Sequence, residues 1–137
     1  MSGNPSTQTL LNSRKDHFEF DVEIEDPGTG LVSTFTMEVD TGSPFAILLP
    51  NYCSQFFNNY QGDVNVGGAG SGQSPLFEAN LKSVGQLNMN FQTYAVMGLD
   101  KSYDYGLLGI NFLKYVKTEI YGPESNKEIM LEDTHLP

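Results

Sequence analysis

Asp40-Thr41-Gly42-Ser43 is where residue types and spacing in this chain best fit chemistry. A carboxylate held on a tight turn can give a proton to a bound substrate or take one from it. At average residue usage an Asp-Thr-Gly triplet arises by chance in roughly a few per cent of chains this long. Alone, the triplet would mean only a strand ending in a turn. Its surroundings alter that reading. An apolar strand pattern feeds it, and a short apolar run, Phe45 to Leu49, follows it. Well downstream, Leu107-Leu108-Gly109 opens onto a helical pattern, and between them lies the glycine-rich stretch Val66 to Gly72.

Other candidate chemistries fit less well. Gly67 to Ser74 approaches a phosphate-binding loop, but Gln73 stands where the essential lysine belongs and no long helix follows. His17, His135 and Cys53 lack metal-ligand spacing, so neither a metal site nor a cofactor is expected. Ser43 is not framed as G-x-S-x-G. Cys53, the single cysteine, reads as an inert packed residue.

The elements that must position Asp40 are legible as alternation. Phe18, Phe20, Val22 and Ile24 alternate with Glu19, Asp21, Glu23 and Glu25, the period of a half-buried strand with a solvated acidic face. Asp26-Pro27-Gly28-Thr29-Gly30 turns the chain. Phe35, Met37 and Val39 then alternate with Thr34, Thr36 and Glu38, so the second strand of a hairpin delivers Asp40 at its end. Asn51 to Tyr60 has no clean period and reads as loop with a helical turn. Two strands follow, around Phe77 to Leu81 and from Leu87 towards Ala95, joined at Val84-Gly85-Gln86. Asn111 is expected to cap a short helix with Phe112, Leu113 and Val116 on its apolar face. Thr118 to Leu131 reads as a hairpin turning at Gly122-Pro123-Glu124-Ser125. The prediction is an all-β, mostly antiparallel single domain with one short C-terminal helix.

In this order of features the chain resembles the retropepsin-like aspartic peptidases, over roughly Phe18 to Leu131. Asp40-Thr41-Gly42-Ser43 matches the catalytic loop, Leu107-Leu108-Gly109 the second apolar-Gly motif, and Gly67, Gly68, Ala69 and Gly70 occupy the place of the flap tip. The resemblance implies a peptidase domain over 17–131, preceded by a flexible lead-in at 1–16 and followed by a tail at 132–137. It implies that Asp40 is catalytic, that Thr41 braces paired loops, that Gly42 lets backbone approach, and that Ser43 lies beside the carboxylate. The flap glycines would fold over an extended, largely apolar peptide, with Phe45 and Ile47 as candidate pocket walls. Two carboxyls in contact share one proton, so one can activate a water while the other donates to the scissile carbonyl. The chain has one such loop, so the second carboxylate must come from a second copy in a two-fold homodimer. Many relatives carry an Asp–Arg pair near that interface; here the two places hold Pro44 and Ile110. Dimer contacts are therefore expected from Met130 to Pro137. The rival reading is a catalytically silent dimerisation or peptide-binding domain of the same fold.

Composition narrows the partners. Acidic residues outnumber basic ones by 17 to 7 in 137 residues, for a formal charge of −10. Such a surface repels phosphate backbones and anionic lipid, so neither nucleic acid nor a membrane is an expected partner. No apolar run approaches a membrane span, no signal pattern opens the chain, and one cysteine forms no internal disulfide. The cytoplasm is the expected location.

Overall fold

The computed structural model describes residues 6–10, 18–66, 72–100, 102–121 and 128–133. Its strands are β1 (Ser6–Leu10), β2 (Glu19–Glu25), β3 (Val32–Val39), β4 (Ile47–Pro50), β5 (Tyr60–Val66), β6 (Gly72–Val84), β7 (Leu87–Leu99), β8 (Gly106–Leu108), β9 (Val116–Tyr121) and β10 (Glu128–Asp133). One α-helical turn, α1 (Ile110–Leu113), and a 3-10 segment, Asn51–Phe56, complete the described elements. None of these helices is long and apolar enough to cross a membrane.

Seven strands form a sheet in the order β2-β3-β8-β4-β7-β6-β5, and β2 also pairs with β6. That extra pairing closes six strands into a barrel and leaves β5 outside, attached to β6 alone. The long β6 makes this possible. Its second half pairs with β2 through Ile24↔Leu81 and Val22↔Val84, while its first half pairs with β5 through Val64↔Ser74 and Val66↔Gly72. A separate sheet, β1-β10-β9, packs its Ile129 and Leu131 into the barrel's core.

The alternation in β2 has the expected cause. Phe20, Val22 and Ile24 are buried while Asp21 and Glu23 face solvent. With Met37, Ile47, Leu49, Leu81, Leu87, Met97, Leu108 and Phe112 they fill the barrel. Each such side chain contributes about 1.5–3 kcal/mol by leaving water. The turn after β2 is held by Asp26, whose carboxylate accepts from the Thr29 hydroxyl at 2.9 Å. Gly30 supplies the positive φ of 79° that the turn needs.

The structure bears out the mostly antiparallel all-β expectation and corrects others. Most pairings are antiparallel, but β3 runs parallel to β8 and β4 parallel to β7. Ser6–Leu10, placed by sequence in a flexible lead-in, forms β1 and pairs with β10 from Ser6↔Glu132 to Leu10↔Glu128. Because β10 lies between β1 and β9, its two edges are already used within the chain. Met130 to Glu132 therefore offer no free strand edge to a partner copy, while residues 134–137 lie outside the described part. Asn111 is not a helix cap. The capping position is Gly109, and the Ile110 amide that opens the helix donates to the Ser43 carbonyl at 2.8 Å. The strands of the last hairpin are present, and its expected turn at Gly122–Ser125 lies outside the described residues.

Candidate active site

Strand β3 ends at Val39, and the next four residues are fixed by backbone bonds to two other segments. The Val39 amide donates to the Phe18 carbonyl at 2.9 Å, and the Asp40 amide to the Leu108 carbonyl at 2.9 Å. The Ser43 amide closes a tight turn onto the Asp40 carbonyl at 3.1 Å. From the other side, the Gly109 amide donates to Ala46 at 3.1 Å and the Ile110 amide to Ser43. Leu107-Leu108-Gly109 is thus the brace of the Asp40 loop, which accounts for both halves of the sequence pattern.

Gly109 is required by contact. A Cβ there would lie 1.9 Å from the Phe45 carbonyl oxygen and 2.5 Å from that of Ser43, closer than any side chain tolerates. Gly42 is a milder case, since a Cβ would sit 3.2 Å from Asp40 Oδ1 and crowd the carboxylate. Instead the bare Gly42 amide donates to that same oxygen at 2.9 Å. This bond fixes the side-chain orientation.

Asp40 is half-buried, Thr41 and Gly42 are exposed, and Ser43 is buried. Ser43 Oγ has no hydrogen-bond partner among the described residues. Asp40 and Thr41 open onto a depression of about 640 Å³ whose far wall is α1, β9 and β10, including Ile110, Leu113, Lys114 and Ile120. Ile110 is 42% exposed and Ile120 58%, unusual for branched apolar side chains. Glu38, on the polar side of the β3 alternation, is buried at 9% exposure and borders the same depression.

The proposed pocket walls separate. Ile47 is wholly buried inside the barrel, whereas Phe45 packs on the outer face against a second apolar cluster, Leu48, Val66, Val96, Leu99 and Leu107. Sequence reading missed this cluster, to which Tyr103 and Tyr105 add an edge-to-face pair at 5.5 Å. Its signal was available. Ile47, Leu48 and Leu49 are apolar in succession, which marks a strand buried on both faces. Gly67, Gly68, Ala69 and Gly70 lie outside the described residues; the strands on either side of them, β5 and β6, form the expected hairpin.

Cys53 is buried and burial pushes its thiol up to about 11, so it stays protonated and unreactive near neutrality. Among the described residues no group of His, Cys, Asp and Glu is arranged to hold a metal ion.

No family model matches the chain, and no curated protein does. A crystal structure of a retropepsin-like aspartic protease from Rickettsia conorii superposes on it with a TM-score of 0.52, over 98% of this chain and 98% of that one, at 16% identity. At that identity the likeness defines the fold. The chain has the all-β retropepsin-like fold.

Proposed function

We propose that this protein is an aspartic endopeptidase that works as a homodimer, each copy supplying Asp40. The observation that carries this reading is the Asp40 loop, held between Leu108 and Ile110 with its carboxylate gripped by the Gly42 amide at the rim of an open depression. A scaffold needs no carboxylate there. In the paired state the two Asp40 carboxyls share a proton, because two adjacent negative charges are costly. The ionised one takes a proton from a water that attacks the scissile carbonyl carbon. The protonated one gives its proton to the carbonyl oxygen, and collapse of the tetrahedral adduct expels the amine.

The substrate is an extended peptide lying beside the Asp40 loop, with the half-buried Phe45 at the margin of the second apolar cluster as a pocket wall and Leu48 and Leu107 packed behind it. Gly67, Gly68, Ala69 and Gly70 are the proposed flap residues, and Thr41 the proposed brace of one loop against its mate.

The test is Asp40→Asn. Asparagine keeps an oxygen for the Gly42 amide but cannot cycle a proton, so cleavage of a peptide library should fall by about 10³-fold or more while the fold survives. The parent rate should trace a bell against pH with its maximum below neutrality, and pepstatin should abolish it. Undiminished cleavage by the variant would remove Asp40 from catalysis. A parent that binds peptides and cuts none would favour the silent-domain reading.

A further inference from the structure

We propose that Gly98 is a positioning residue for the cleavage reaction: lacking a side chain, it lets the β5–β6 hairpin lie down on the apolar floor beside Asp40. The inference rests on the peptidase reading above.

Val96 and Gly98 are two apart in β7 and so point to the same face. Val96 belongs to the second apolar cluster with Leu48 and Leu107, so that face is the floor. Beside Val96 the sheet is regular, with Leu76 of β6 as its partner. The β6–β7 pairing ends there. A Cβ on residue 98 would lie 2.9 Å from Val66 Cγ2, 3.0 Å from Ser74 Oγ and 3.3 Å from Leu48 Cδ1.

The Val66 contact is the informative one. β5 is not a neighbour of β7; β6 lies between them. In a regular sheet, strands once removed stand about 9.5 Å apart, twice the neighbour spacing. Val66 reaches position 98 only because the hairpin leaves the sheet plane and folds across the face of β7. Val66 is buried there at 6% exposure and Ser74 at 3%. The hairpin is seated on a bare glycine at the end of its ladder next to the tip, where Val66 pairs with Gly72, and the size of residue 98 sets how high that end rides.

A methyl group at 98 would press on Val66, whose β-branched side chain has little rotamer freedom to yield. The hairpin must lift instead, and a lifted hairpin holds peptide less closely over Asp40. A misplacement of about 1 Å can cost ~10²-fold in rate, so Gly98→Val is expected to lower kcat/KM by about tenfold or more, chiefly through KM. Gly98→Ala should lower it less. Val66→Ala added to Gly98→Ala vacates the needed space and should return kcat/KM to within about twofold of the parent.

The experiment measures KM and kcat for these variants on one peptide that the parent cuts. It also follows amide hydrogen exchange in full-length protein carrying Asp40→Asn with and without Gly98→Val. Faster exchange confined to 60–66 and 72–77, with β2 and β3 unchanged, together with rescue by Val66→Ala, is the expected result. Parental kinetics in Gly98→Val, or faster exchange spread evenly over the barrel without rescue, would overturn the inference and leave the peptidase reading intact. A parent that cuts no peptide would instead overturn the peptidase reading, and the role of Gly98 in cleavage with it.

Discussion

The Asp40 amide and the Leu108 carbonyl are joined at 2.9 Å, at the point where two parallel strands end side by side. The parallel pairing of β3 and β8 is what allows it. Both strands run towards the same end of the barrel, so the loop after one can rest on the loop after the other. Residues from distant parts of the sequence thereby become one rigid structure, and the loop that carries the carboxylate is held by backbone bonds, which no side-chain rotation can loosen.

That brace depends on Gly109, and its replacement is the severest change expected in this chain. Gly109→Ala places a methyl carbon against two carbonyl oxygens of the backbone, neither of which can swing aside. The Phe45 and Ser43 segment must move, with loss of the Ile110–Ser43 and Gly109–Ala46 hydrogen bonds. A destabilisation of about 3 kcal/mol or more is expected, beyond ordinary overpacking. Urea denaturation of the variant, against Gly42→Ala as the milder control, measures it directly.

Much of this arrangement was legible in the residues themselves. The period-two patterns of β2 and β3 lead to Asp40, and apolar-apolar-Gly marks its brace, because strand burial and glycine contact leave local signatures. The features that were not legible depend on who pairs with whom. Ser-Thr-Gln-Thr-Leu has no apolar period, and it becomes β1 only because β10 offers a free edge to pair with. Asn111 is a good capping residue displaced from that role by the Ser43 carbonyl, which arrives from far along the chain. Gly98 looks like any glycine in a strand until Val66 is seen folded over it.

Ser43 carries a second expectation. Its hydroxyl is buried without a hydrogen-bond partner among the described residues, and a buried unsatisfied hydroxyl costs about 1–3 kcal/mol. Ser43→Ala should leave stability unchanged or raise it by up to about 1 kcal/mol. If thermal denaturation shows a clear loss instead, the hydroxyl has a partner in solution, and the second copy of the Asp40 loop is the place to look.

Cys53 makes stability fall at alkaline pH. Burial raises the thiol from 9.0 to about 11 in the folded chain, so between those values the native state holds a proton that the unfolded state has released. The sign follows: its contribution is complete below about pH 9 and is lost as pH rises towards 11. Cys53→Ala should flatten the stability–pH curve in that window and leave its slope around pH 7 unchanged, whatever constant offset the lost packing adds, as paired denaturation series would show. Native protein should also resist thiol reagents at neutral pH and react once unfolded.

The last expectation concerns assembly. One chain carries one Asp-Thr-Gly loop, and the proposed chemistry needs two carboxyls in contact. The proposed dyad sets the partner copy against the Asp40 depression, away from β10, whose strand edges are paired within the chain over Glu128–Glu132. Ile110 and Ile120 stand exposed at the wall of that depression. An apolar contact between two copies at −10 each should be weak at low ionic strength and tighten as salt screens the repulsion. Specific activity should therefore rise with enzyme concentration and with moderate salt, and excess Asp40→Asn chains should poison the parent through one-carboxylate heterodimers. Ile110→Asp should shift the monomer–dimer equilibrium at least about tenfold towards monomer, since an unpaired charge enters an apolar contact, while leaving the melting of the monomer nearly unchanged. Sedimentation and activity on a single dilution series decide the matter: full activity per chain in a sedimenting monomer would mean that Asp40 works without its mate.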